Sequence, residues 1–224
     1  MQIQNNTISF TARCPEIKKA QWVCHKITEN TPHFSSTKFE PFFTNFRTKN
    51  LNDEKKLRNM FSFRHKLIQK LNDIRCAYRI GMDTPLDFDI NNLNQLKHEH
   101  FGNCGEDAIA ARLILKMNGI DNVVQGFLKV NDKKIDHAVC MFNRDGSPFE
   151  KIINNQTILV DPWSGIVDFA NNAFKKYKNM YTRYFKIPEN AKMSFEPKRN
   201  YKVDKTDIEG LRNYFPEFVK KSPA

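Results

Sequence analysis

No run of about 18 or more apolar residues occurs in the sequence, so no segment reads as a membrane-spanning helix. The opening residues, Met1-Gln-Ile-Gln-Asn-Asn-Thr-Ile-Ser9, lack a basic cluster followed by an apolar stretch, so a cleaved secretory signal is not expected. Lysine and arginine never form a block of five or more, which leaves no focused phosphate-binding stripe. Internal repeats and low-complexity segments are absent. The five cysteines are an odd set without the spacing of a disulfide scaffold, in a chain long enough to fold without cross-links. Reduced thiols in a reducing compartment are therefore expected.

There is enough apolar material for a core. Of 224 residues, 40% are hydrophobic and 12% aromatic, with Phe prominent, which excludes a wholly disordered chain. The length suits one compact domain, or one core with appendages. Lys and Arg outnumber Asp and Glu by 36 to 25, a formal charge of +11. Such a charge is compatible with nucleic acid, anionic membrane or an acidic partner. Because the basic residues are scattered, a solvated basic surface is the simpler reading, and nucleic acid or anionic membrane is not the favoured partner.

Residues 1–50 mix Phe10, Trp22, Phe34, Phe39, Phe42, Phe43 and Phe46 with Thr, Ser, Asn and Pro. Without clear periodicity, they predict irregular structure with one short helix near 16–26. After Asn52 or Asp53 as N-cap, Leu57, Met60, Phe61, Phe63, Leu67, Ile68, Leu71, Ile74 and Tyr78 recur at helical spacing. They predict an amphipathic helix over 53–80 that packs on the core, stopped by Gly81 and an Asp83-Thr84-Pro85 turn. A second helix is predicted to begin at or just after Cys104. Glu106 and Asp107 lie in its first turn, Ala108, Ile109, Leu113 and Ile114 form its buried stripe, and Asn118-Gly119 closes it. Strands are expected over 123–130, 135–143 and 157–160. A short strand over 165–169, a helix over 171–177 and a further strand over 180–187 come next. From Pro188 the chain is polar until a terminal helix over 208–219, interrupted at Pro216. A helix followed by an antiparallel sheet is an α+β arrangement. The expected organisation is an N-terminal extension over 1–52, a core over 53–187 and a charged tail over 188–224.

Three segments carry chemistry: Gly102-Asn-Cys-Gly-Glu106, Asp136-His-Ala-Val139 and Asp161-Pro-Trp-Ser-Gly165. A cysteine at a helix N-terminus faces unpaired N–H groups and the positive end of the helix dipole, which favour a thiolate. That field supplies roughly 0.3–1 kcal/mol at an exposed site, less than one pK unit. A free thiol titrating near 8.5 would stay mostly protonated at neutral pH, so Cys104 needs an imidazole partner. His137, early in a strand, is the natural one. Asp161 ends the next strand; if the two pair antiparallel, it reaches the ring nitrogen that faces away from the thiol. The order is nucleophile, base, orienter.

These segments resemble the papain-like cysteine enzymes. Asp136-His-Ala-Val is the local pattern around the histidine of that family, and Asp161-Pro-Trp163 has the spacing of its Asn-x-Trp. The whole set, over about residues 95–170, is similar to compact papain-fold glutamine deamidases and effector proteases of bacteria, and to the wider transglutaminase-like superfamily. The resemblance implies a papain-like core with the catalytic Cys104 at the N-terminus of a helix packed on an antiparallel sheet. His137 is then the base, Asp161 the orienter and Trp163 a shield against water. A side-chain amide upstream of the cysteine would add an oxyanion donor to the Cys104 N–H, with Gln95 and Asn103 as candidates. The tryptophan that papain carries directly after its cysteine is replaced here by Gly105, and the gap to the histidine is short, so a plain papain protease is not implied.

The expected activity is acyl transfer on amide bonds of a protein substrate, as a deamidase, transglutaminase or protease, without cofactor or metal. The resemblance places it in a bacterial cytoplasm, or in the cytosol of a host cell whose proteins it modifies. Asp168 is the second candidate for orienter. Cys140 alternates to the face opposite His137 and is expected in the core, as is Cys76. Cys14, Cys24, His25 and His33 match no zinc pattern, and His98-Glu-His100 reads as a solvated loop or cleft rim. The non-enzymatic reading is a basic adaptor for nucleic acid or anionic membrane.

Overall fold

Pro15 at a first helical position and apolar residues at helical spacing build α1 (Pro15–Asn30), which buries Ile17, Ala20, Val23, Cys24 and Ile27. The chain here is a computed structural model that describes residues 14–32, 47, 49–79, 82–131, 133–149, 153–185, 190–199 and 201–220. Expectations for Phe10, His33, Phe34, Phe39, Phe42, Phe43, Phe46 and Gly81 lie outside the described residues. Helix α1 is longer than the one expected at 16–26, and its buried side belongs to the main core.

Helix α2 (Glu54–Arg79) matches the expectation at 53–80 in extent. Only Met60 and Leu71 in it are buried, while Phe61 and Phe63 are 47% and 50% exposed. The strip that packs is therefore narrower than the apolar pattern suggests. Cys76, expected in the core, is exposed, because it lies off the strip of Leu71, Ile74 and Tyr78.

Where a turn and loop were expected, the structure has a further helix, α3 (Pro85–Glu99). Thr84 caps it: its Oγ1 accepts the Asp87 N–H at 3.1 Å and Asp87 Oδ2 accepts the Thr84 N–H at 3.0 Å. Leu86, Ile90, Leu93 and Leu96 then face the core at helical spacing. His98 is thus in the last turn of α3, and His100 ends the helix in a left-handed conformation with φ 51°.

Helix α4 (Cys104–Met117) begins and ends as expected, with Gly119 at φ 79° just past its end. Its burial is not one stripe: every residue but Gly105 is buried, because α1, α3 and the sheet surround it. Two of the charged side chains on α4 are ion-paired, Glu106 with Arg75 of α2 and Arg112 with Asp89 of α3. Arg112 reaches Asp89 of α3 with two hydrogen bonds, Nε at 2.9 Å and Nη2 closer, and the Tyr201 hydroxyl donates to the same carboxylate.

Strands β1 (Val124–Val130), β2 (Lys133–Asn143), β3 (Thr157–Asp161) and β4 (Ile166–Phe169) follow, then α5 (Ala170–Phe185), β5 (Met193–Arg199), α6 (Lys205–Tyr214) and a 3-10 turn (Pro216–Phe218). The sheet order is β4-β3-β2-β1-β5 and every pairing is antiparallel, so the architecture is α+β. In β2 and β3, Ala138, Cys140, Phe142, Ile158 and Val160 face the α1/α4 core, while Val139, Met141 and Leu159 face a second core with Ala173 and Tyr177 of α5. Helices on both faces explain why these strands read as near-continuous apolar runs.

Over 180–185, the described part of the strand expected at 180–187, the chain is helical. Ala173, Phe174, Tyr177 and Met180 lie at helical spacing against the sheet, and that stripe carries α5 to Phe185. The fifth strand is instead β5, within the stretch read as a polar tail. It pairs with β1 where Gly126 allows it: a Cβ there would meet the backbone oxygen of Glu196 and come within 2.6 Å of the Phe195 ring. Among the described residues, no helix is long and apolar enough to cross a membrane.

Candidate active site

The site is assembled where the start of α4 meets the middle of β2 and the end of β3. Asn103 is the N-cap of α4, in extended conformation, and Cys104 is the first helical residue. First-turn N–H groups of a helix have no acceptor within it, so this end of α4 favours negative charge. Cys104 is 6% exposed. Glu106, at the third helical position, returns to the Asn103 N–H at 3.0 Å and is gripped by Arg75 of α2, with Nε to Oε1 at 2.7 Å and Nη2 to Oε2 at 2.8 Å.

The antiparallel register that pairs Cys140 with Val160 brings Asp161, the last residue of β3, beside the middle of β2. His137 Nε2 lies 2.7 Å from Asp161 Oδ2, with both side chains almost fully buried. The Cys104 side chain lies close enough to His137 to favour the protonated imidazole. With Nε2 engaged by Asp161, Nδ1 is the ring nitrogen that serves the thiol. Cys104, His137 and Asp161 are therefore together.

Around this pair stand Trp163, which the sequence singled out, and Tyr177 and Ser164, which it did not. The Tyr177 hydroxyl, from α5, donates to Asp161 Oδ2 at 2.6 Å. Ser164 donates its hydroxyl to the same oxygen and its N–H to Oδ1 at 3.3 Å. The Trp163 ring packs edge-on against the imidazole with centroids 4.9 Å apart, and Tyr177 does so from another side at 5.6 Å. Ser164 had a local signal, an acidic residue three positions ahead of a hydroxyl at a turn. Tyr177 had none, since only the fold brings α5 over β3.

The electrostatics follow from this packing. Burial is the largest influence on His137 and by itself lowers its proton affinity. The Asp161 charge and hydrogen bond, then Cys104, outweigh it and raise the imidazole from the ordinary 6.5 to about 10. Burial acts on Asp161 in the raising direction, but His137, Ser164 and Tyr177 prevail and hold it below the usual carboxylate range. The two shifts agree: the pair is imidazolium and carboxylate. Cys140, in contrast, is a core thiol that burial pushes up to about 12, and its Sγ donates to the Ala108 carbonyl.

The other candidates sit as follows. Gln95 is buried on α3, and its amide donates to the Phe101 carbonyl at 3.1 Å, in the connection that leads to Cys104. Asn103 serves as the cap of α4. Asp168 is turned toward α5, accepting the Phe169 N–H at 2.7 Å and pairing with Lys176 at 2.8 Å. Cys14 caps α1, Cys24 is buried and His25 is exposed. Among the described residues, no group of three or more His, Cys, Asp or Glu is placed to share a metal ion.

A thiol at a helix start, beside an imidazole held by a buried carboxylate, is an arrangement that can support nucleophilic acyl transfer. Comparison with family models, with curated proteins and with solved structures finds no match to this chain.

Proposed function

We propose that the chain is a cysteine-dependent acyl-transfer enzyme that acts on amide bonds of a protein substrate, on a papain-like or transglutaminase-like core. One observation carries the reading: the imidazole beside Cys104 has its Nε2 held by a buried carboxylate. A histidine that serves only packing has no need of an ionised carboxylate fully out of water, since burying such a charge is costly unless it is paired.

In this reading the sulfur of Cys104 stands as a thiolate beside the His137 imidazolium and attacks the amide carbon. The C–S bond forms and the carbonyl electrons move onto oxygen. That oxyanion develops against the first N–H groups of α4, where one good donor is worth about a hundredfold to a thousandfold in rate. Collapse breaks the C–N bond as the imidazolium gives its proton to the departing nitrogen. Ammonia leaves from a glutamine side chain, or an amine from a main-chain amide. Water or a second amine, deprotonated by His137, then attacks the thioester and the sulfur departs. Asp161 keeps the ring in the tautomer that this proton traffic requires. Trp163 and Tyr177 exclude water from its far side.

What leaves and what attacks distinguish deamidase, protease and transglutaminase, and the triad serves all three. A cell extract incubated with the wild type or with Cys104→Ala, then surveyed by peptide mass spectrometry, tests the reading. Amide-to-acid conversion, new termini or amine cross-links that depend on Cys104 are the expected result. An extract with no Cys104-dependent change of any of these kinds contradicts it.

A further inference from the structure

We propose that Arg75 is a positioning residue for the nucleophile: by pairing with Glu106, it keeps the positive end of α4 available to the sulfur of Cys104. The inference rests on the reading of Cys104 as nucleophile.

Glu106 stands two residues after Cys104, is 2% exposed and uses Oε2 to accept the Asn103 N–H at 3.0 Å. Its carboxylate therefore lies in the same first turn as Cys104, at the end of the helix that favours negative charge. Two anions there compete for one helix terminus, and each disfavours the other. The arginine removes that competition. Its planar fork engages both carboxylate oxygens, at 2.7 and 2.8 Å, in the geometry that suits guanidinium and carboxylate best.

The arginine is also held in place. Helix α2 grips the same connection at two further points: Tyr78 donates to Glu99 at 3.1 Å, and Lys70 lies 5.6 Å over the Phe101 ring. From α3, the Asn92 amide donates to the Glu106 carbonyl at 2.8 Å. With its side chain only 26% exposed, Arg75 is far from a freely moving surface cation. A pure clamp and a charge-balancing residue both fit a single ion pair. They differ in what removing the carboxylate does.

The test is the rate at which iodoacetamide alkylates Cys104 in the full chain, read cysteine by cysteine by mass spectrometry against N-acetylcysteine. Arg75→Gln is expected to slow it about tenfold, since a buried carboxylate beside the thiolate is left unbalanced. Arg75→Lys, which keeps the charge without the fork, is expected to recover part of that loss. Adding Glu106→Gln to Arg75→Gln is expected to restore the rate to within about threefold of wild type, because the amide oxygen still accepts the Asn103 N–H while the charge is gone.

Wild-type alkylation in Arg75→Gln overturns the proposal. So does a double variant as slow as Arg75→Gln, which would mean that a clamp and not a charge was lost. If Arg75→Gln does not fold by circular dichroism, Glu106→Gln alone decides: a rate at or above wild type supports the proposal, and a slower one overturns it. A wild-type Cys104 no faster than N-acetylcysteine, or unaffected by His137→Ala, removes the nucleophile reading itself and the role of Arg75 with it.

Discussion

Tyr177 donates its hydroxyl, over 2.6 Å, to the same oxygen of Asp161 that holds His137 Nε2. The orienting carboxylate thus takes hydrogen bonds from β2, from its own turn at Ser164 and from α5, and all of these favour its charged form. Removing one partner from a buried group is more costly than the net worth of the bond, because the other partner is left unsatisfied. Tyr177→Phe deletes only the oxygen, while the ring keeps its place beside the imidazole. Its expected effect is a stability loss of about 1–3 kcal/mol in denaturant unfolding and a slower Cys104 alkylation, with circular dichroism unchanged. Unchanged stability and alkylation would mean that the phenol is incidental to the site.

The charged pair sets a pH window for stability. His137 binds its proton more tightly folded than unfolded, with its value raised from 6.5 to about 10. The stability that it contributes is therefore full below about pH 6.5, declines as pH rises and is gone by about pH 10, at about 1.4 kcal/mol per unit. Asp161 has the opposite sign: its contribution is present above the usual carboxylate range and is lost as acid protonates it in the fold. The difference in unfolding free energy between wild type and a His137→Gln/Asp161→Asn variant is expected to shrink steadily from pH 6.5 to 10. A difference that stays flat across that span contradicts the ionised pair.

A second buried pair serves the scaffold. Arg112 and Asp89 have no exposed surface, and Tyr201 ties the segment before α6 to the same carboxylate. Breaking such a pair leaves an uncompensated buried charge, so Asp89→Ala is expected to lose about 3–5 kcal/mol in denaturant unfolding. Replacing both partners together, as Asp89→Leu/Arg112→Met, is expected to be less damaging than the single change. A double variant worse than Asp89→Ala would show that the pair does more than join α3 to α4.

Much of the site was legible because it is local. Cys104 announces a helix start through its Asn103 cap and acidic first turn, and His137 and Asp161 sit on adjacent antiparallel strands whose register brings them together. The partners that complete it are not local. Tyr177 belongs to a helix whose stripe is plain at 173, 174, 177 and 180, yet nothing in that spacing says that it lies over Asp161. Arg75 resembles any other basic residue of α2 until the fold sets it against Glu106. Helix α3 was within reach, since Thr84-Pro85-Leu-Asp87 is a capping box with proline at the first position. Strand β5 was obscured by charged residues and Pro197, which an edge strand tolerates.

The central claim is that burial and reactivity are inverted at Cys104, which is 6% exposed while Cys76 is open to solvent. The most direct test is site-resolved iodoacetamide labelling of all five cysteines at neutral pH, in wild type and in His137→Ala. The account predicts that Cys104 reacts first in the wild type, ahead of exposed Cys76, and loses that lead in His137→Ala. Labelling that follows exposure, with Cys76 first and Cys104 indifferent to the histidine, would contradict it.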